Sequence, residues 1–255
     1  VTPLHVLRRI PFALLSGTLL TAPLHAQSPP LSGAVAVSSQ LIDRGLAISP
    51  NTPIVQGNLT WSSASGWILG MSAATEVRSV GHGSEAMAEV AHYWPLSSDW
   101  RMQAGVVYYA YPGNGPSRPF ERVETSVNWM YRDVLSFGLS AITLTHGDDH
   151  SPRGAADVDV HWPLPQHFAV SAGLGVAQPL TGSAGYASYV PNGPYGGYVY
   201  YHPARMRSYY GYGHIGLGWG YGPWRVELDR VFTDPDMRRQ GAAAAPWVGT
   251  ISWAF

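Results

Sequence analysis

His146-Gly147-Asp148-Asp149-His150-Ser151 gathers two imidazoles, two carboxylates and a hydroxyl within six residues. Imidazole nitrogens suit transition metals, and aspartates suit a hard cation. The same stretch holds His and Ser side chains of the kind a lipid-modifying hydrolase or acyltransferase would need, with an orienting partner. No Gly-x-Ser-x-Gly elbow surrounds Ser151, so nothing presents it as a nucleophile. The two histidines are four apart, which aligns them only on a helix, and this stretch reads as an external loop. The expectation is a solvated polar loop: no catalytic residue, no metal ligand and no cofactor is assigned.

A second set of reactive side chains recurs at a spacing of two. Asp157, Asp159 and His161 alternate with Val158 and Val160, and Arg225, Glu227 and Asp229 alternate with Val226 and Leu228. Arg101 with Gln103, Arg122 with Glu124, and Gln56 with Asn58 follow the same rule. A strand lines such groups along one face, whereas a helix scatters them around its axis. By parity Gln40, Arg44 and Glu89 join that face, as do Glu76, Arg78, Asn128 and His214. The opposite parity carries mostly Val, Leu, Ala and aromatic residues, as a strand between a polar lumen and lipid requires. Arginine on a lipid face costs roughly 2–4 kcal/mol at the midplane, so the parity is energetically constrained. These polar residues are therefore expected to line a pore. Arg122 with Glu124, and Arg225 with Glu227 and Asp229, are candidates for ion pairs with neighbouring strands. Two arrangements stay open: a water-filled path for small polar solutes, or a paired network that fills a narrow barrel. Acidic residues outnumber arginines by 16 to 15, which points weakly to cations.

The elements that would position these groups follow from the same alternation. It predicts twelve strands over residues 31–41, 53–62, 66–77, 85–94, 99–110, 120–131, 134–145, 155–162, 166–177, 208–219, 223–233 and 246–255. Every second connection is tight turn chemistry: Ser62–Gly66, Pro95–Ser98, Arg132-Asp133, Pro163–Pro165 and Gly220–Gly222. The connections between are longer, and the longest, 178–207, is rich in Tyr, Gly and Pro. An even strand count with short turns on one side predicts an all-β, antiparallel, up-and-down transmembrane barrel with both termini periplasmic. Trp94, Trp100, Trp162 and Phe168 flank two such turns and are expected in an aromatic girdle. At the end of the chain Trp247, Ile251, Trp253 and Phe255 share one parity, opposite Thr250, Ser252 and Ala254. That pattern resembles the C-terminal strand by which the barrel-assembly machinery recognises its clients.

Arg8 and Arg9 precede an apolar stretch, Ile10 to Leu24, and Ala26 suits a cleavage point. This is the layout of a secretory signal peptide over residues 1–26, leaving 27–255 as one barrel domain. Cysteine is absent, which excludes a disulfide framework or a thiolate metal site. With 12% charged residues and a net charge of −1, nucleic acid is not an expected partner. Outer-membrane lipid and an unidentified small polar solute are.

A family resemblance rests on particular residues. Arg44-Gly45 follows the first strand, Pro53-Ile54-Val55-Gln56-Gly57 opens the second, and Gly66-Trp67 opens the third. Glu89 and Val107-Tyr108-Tyr109-Ala110-Tyr111-Pro112-Gly113 continue the pattern. Together these resemble the TorF-type porin family, bacterial outer-membrane proteins of undefined function. The resemblance covers the first half well and the second half by strand pattern, with segment 178–207 as the main departure. It implies an outer-membrane location and a porin-like barrel, and carries over no catalytic residue or substrate. The rival reading is a non-conducting barrel that presents its external loops.

Overall fold

The computed structural model describes residues 31–78, 85–113, 118–147, 150–180, 188–190, 198–200, 208–239 and 241–255. The expected leader, 1–26, lies outside them, as do Asp148, Asp149 and most of the tyrosine-rich loop. In chain order the strands are β1 (Leu31–Ser38), β2 (Ile42–Asp43), β3 (Leu46–Ala47), β4 (Ile54–Ser62), β5 (Trp67–Glu76) and β6 (Glu85–Pro95). Then come β7 (Trp100–Ala110), β8 (Arg122–Tyr131), β9 (Leu135–Leu144), β10 (Arg153–Pro163) and β11 (Phe168–Ala177). The last are β12 (Ser188–Val190), β13 (Tyr198–Tyr200), β14 (Tyr210–Tyr221), β15 (Trp224–Thr233) and β16 (Trp247–Ala254), with a short helix α1 (Pro235–Arg239) before β16.

Twelve of these strands close an antiparallel barrel in the order β1-β16-β15-β14-β11-β10-β9-β8-β7-β6-β5-β4. The short pairs β2-β3 and β12-β13 stand apart from the wall. Closure is made by the chain ends. Ala34 pairs with Ala254 and Ser38 with Thr250, and Gly33 exchanges backbone hydrogen bonds of 3.0 and 2.9 Å with Phe255. The Phe255 ring lies over Gly33, where a Cβ would come within 2.7 Å of it. Glycine at this position thus admits the terminal aromatic to the seam.

The wall alternates as the strand parity requires. Met71, Leu174, Leu217, Leu228 and Ile251 point outward and are exposed, Leu174 to 75%. Soluble surfaces rarely carry apolar patches beyond a few hundred Å², and here an apolar belt runs round the whole barrel. Trp94, Trp100 and Trp162 also face outward and are exposed, close to the tight turns. The tight turns share one end. Arg132 and Asp133 turn with φ of 48° and 59°, and Gln166 and His167 with 58° and 70°, the left-handed pair a two-residue hairpin favours. The first strand departs from expectation. It ends at Ser38 rather than at residue 41, and the chain then turns into the barrel.

Candidate functional site

The segment after β1 is a hairpin inside the barrel. Asp43-Arg44-Gly45-Leu46 makes its tip, with φ of 47° at Arg44 and 75° at Gly45. A side chain on Gly45 would meet Thr233 Oγ1 at 2.7 Å and Tyr212 Cβ at 3.0 Å, so glycine is required both by its dihedral and by its fit. The hairpin is tied to the chain beyond β15: Ala47 N–H donates to Ala242 O at 2.9 Å, and Ala244 N–H to Gly45 O at 2.9 Å.

Its apolar side chains reach opposite walls. Ile42 packs with Val231, Ala244 and Val248. Leu46 rests against the cluster of Ile142, Ala155, Ala177, Tyr210 and Met237. Leu41 packs with Ile54 and Ala74, and Ile48 against Val107, Tyr109 and Tyr111. One hairpin thereby touches β4, β5, β7, β9, β10, β14, β15 and β16, and crosses the interior at the long-loop end. The small core of this barrel is that contact.

Charges fix the tip. Arg122 is fully buried; its Nη2 donates to Asp43 Oδ2 at 2.7 Å and its Nη1 to the Tyr111 hydroxyl at 2.9 Å. Its guanidinium lies 3.8 Å from the centre of the Tyr109 ring. Arg44 forms a two-pronged pair with Glu124, one contact at 3.2 Å, and approaches Asp43 at 3.7 Å. Two arginines and two carboxylates thus pair within one buried group, and a third buried carboxylate, Glu85, hydrogen-bonds Tyr111 beside them. Removing a single member would leave a buried charge uncompensated, at a cost of about 3–5 kcal/mol.

The rest of the lumen is arranged differently. Five inward carboxylates each stand opposite an inward glycine on the next strand: Glu89 opposite Gly70, Asp157 opposite Gly138, Asp159 opposite Gly173, Glu227 opposite Gly218 and Asp229 opposite Gly216. The carboxylates of Asp157, Asp159 and Asp229 lie over the bare backbone: a Cβ on Gly138 would sit 2.5 Å from Asp157 Oδ2. Among the described residues none of the five forms an ion pair within 4 Å.

The expected lumen residues fall into three groups. Arg122 and Glu124 face inward but pair with the hairpin rather than with adjacent strands. Gln40 and Arg44 are not wall residues, which corrects their placement on or beside a first strand reaching residue 41. Gln40 instead braces the hairpin, donating to Ser49 O at 2.9 Å and accepting from Ala245 N–H at 2.7 Å. Gln56 and Asn58 on β4, Glu89 on β6 and Gln103 on β7 occupy inward wall positions. Gln56 donates to Ser38 Oγ at 2.9 Å, and Gln103 to Glu89 at 3.5 Å. Asp157, Asp159 and His161 share the inner face of β10, and Arg225, Glu227 and Asp229 that of β15. Arg225 and Glu227 lie within electrostatic reach of each other on this face. Arg101 lies at the turn end and pairs with Asp133.

Asp43, Tyr109 and Tyr111 complete the buried charge group and were not among the expected site residues. The Arg44-Gly45 pair between short apolar stretches was their available signal. In the histidine stretch, His146 approaches Glu121 at 3.1 Å while His150 Nδ1 meets Leu144 O at 2.8 Å. The two rings serve different partners. Among the described residues no group of three or more His, Asp or Glu is arranged to hold a metal ion.

Residues 24–189 match the bacterial family described as "Bacterial protein of unknown function (Gcw_chp)", and the chain belongs to that family. No curated protein matches it. Among solved structures it is similar to a KdgM porin in complex with disordered oligogalacturonate, at 8% identity and a TM-score of 0.53. That match covers 88% of this chain and 98% of the other. A NanC porin aligns at 13% identity and a TM-score of 0.49, over 88% and 97% of the two chains. The first likeness concerns the fold, a closed barrel of outer-membrane porin type.

Proposed function

We propose that this chain is an outer-membrane channel of the porin kind, passing small polar solutes by diffusion, without cofactor or turnover. The observation that carries it is the wall itself: apolar residues outward on all twelve strands, and polar residues with unpaired carboxylates inward. Water-filled outer-membrane barrels use this division. The reading includes export by the 1–26 leader, periplasmic termini, and delivery to the assembly machinery through β16. The TorF-type label belongs here too, supported by Arg44-Gly45 at the hairpin tip and Gln56-Gly57 on β4.

The oligogalacturonate of the KdgM complex does not carry over readily. It is a polyanion, while the cations Arg44, Arg122 and Arg101 here are each neutralised by a carboxylate. A second reading, a non-conducting barrel presenting its loops, is favoured by one observation: the hairpin spans the long-loop end. Planar-bilayer recording of the refolded barrel separates the two. Discrete unit conductances support the channel; a folded, inserted barrel that stays silent supports the non-conducting reading.

A further inference from the structure

The inner wall from β10 to β15 runs β10, β11, β14, β15. Its margins carry carboxylate pairs, Asp157 with Asp159 on β10 and Glu227 with Asp229 on β15. The two strands between them turn glycine inward at Gly173, Gly175, Gly216 and Gly218. Between the acidic margins these glycines make a shallow trough along the lumen wall, overlaid at Gly175 by the Tyr212 ring. The side chains lean into it. Asp159 and the His214 ring both occupy the space a Cβ on Gly173 would take, and Asp229 shares the space over Gly216 with the Ser171 hydroxyl.

A separate observation points to what the trough holds. Asp229 is only 2% exposed, and its Oδ2 has no hydrogen-bond partner. Across the lumen Gln103, 1% exposed beside Glu89, likewise leaves Oε1 unpartnered. Buried oxygens with lone pairs and no donor are costly, and a cation is the partner that relieves several at once. The protein's own cations are mostly spent elsewhere. Arg44 and Arg122 are held at the hairpin, and Arg101 at the turn end by Asp133. Asp157 lies within electrostatic reach of Arg44, and Glu227 of Arg225. Among the described residues Asp159, Asp229 and Glu89 have no such arginine neighbour, and the ring against Asp159 is that of His214.

We infer that this trough is a cation track, which selects small monovalent cations, alkali ions and short ammonium compounds, over anions. Carboxylates two apart on a strand are about 7 Å from each other, too far to share one dehydrated ion and suited to a hydrated one. Acidic rings of this kind set cation preference in channels. The inference rests on the channel reading, and its test keeps the two apart. Reversal potentials are recorded in a tenfold KCl gradient for the wild type and for Asp159→Asn/Glu227→Gln/Asp229→Asn. These isosteric changes break no ion pair, and heat-modifiable gel migration checks the fold. The wild type is expected to favour K⁺ over Cl⁻ by about tenfold, and the variant by less than about twofold. A conducting wild type without cation preference, or a preference untouched by the three substitutions, overturns the track and leaves the channel reading standing. Silence from the wild type and also from a variant whose residues 40–49 are replaced by a Gly-Ser linker overturns both.

Discussion

Two regions of this lumen treat charge in opposite ways. At the hairpin, Asp43, Arg44, Arg122 and Glu124 meet one another in a buried group of paired charges. Along the trough, Asp159, Glu227 and Asp229 stand opposite glycine, and among the described residues none is in an ion pair within 4 Å. Paired buried charges hold a segment in one place, because separating them is costly. Unpaired ones hold nothing of the protein, and their free oxygens face whatever enters. The contrast assigns structure to the first set and selectivity to the second.

The largest effect should come from breaking the paired set. Glu124→Ala strips Arg44 of its carboxylate and should cost about 3–5 kcal/mol in urea unfolding of the lipid-embedded barrel. Asp229→Asn removes a buried carboxylate that has no ion-pair partner and should cause no loss of stability. Similar losses from both would erase the distinction. Next comes the hairpin tip. Gly45→Val forces a branched residue to a φ of 75° and drives its Cβ toward Thr233 and Tyr212. About 2–4 kcal/mol of lost hairpin docking is expected, read as faster proteolysis within 39–53 and as larger unit conductance.

A smaller effect tests the trough floor. Gly216→Ala places a methyl where the Asp229 carboxylate and the Ser171 hydroxyl now lie. It should cost about 1–3 kcal/mol and lower cation preference, while the same substitution at Gly249, which has open space, should leave selectivity unchanged. The smallest effect belongs to an exposed pair outside the spanning strands. Arg132 Nε donates to Asp99 at 2.8 Å, and this hydrogen bond holds the Asp99 carboxyl below its usual range. A depressed carboxylate contributes stability above its ordinary titration range and loses it as pH falls through the lowered value. Asp99→Asn should therefore flatten the acid limb of the stability profile slightly, and the difference should vanish in molar salt. A persistent difference at high salt would show the pair to be structural like the hairpin group.

The barrel was legible in the sequence because lipid and lumen alternate along every strand, so strand number, parity and the tight turns followed from period two alone. Only the first strand was over-extended. Leu41 read as its last residue, yet Leu41 and Ile42 bury their apolar surface against opposite walls of the same barrel, a contact that local pattern does not encode. The Arg44-Gly45 turn was visible, but its inward direction depends on Arg122 and Glu124, some eighty residues away. The trough was hidden for a related reason. Asp159, Glu227 and Asp229 were readable as lumen residues, but their glycine partners are fixed by cross-strand register, which parity leaves free to slide.

Solute is expected to pass along the unpaired carboxylates, beside a hairpin that buried charges hold in place. Leu46 and Ala243 are bridge partners across its outer edge, at a spacing that suits a disulfide, and the chain has no other cysteine to interfere. Single-channel recording of Leu46→Cys/Ala243→Cys, oxidised and then reduced in the same bilayer, tests this directly. Conductance is expected to be the same oxidised and reduced, because the hairpin is already docked at this pair. Conductance that rises on reduction would contradict a hairpin held in place.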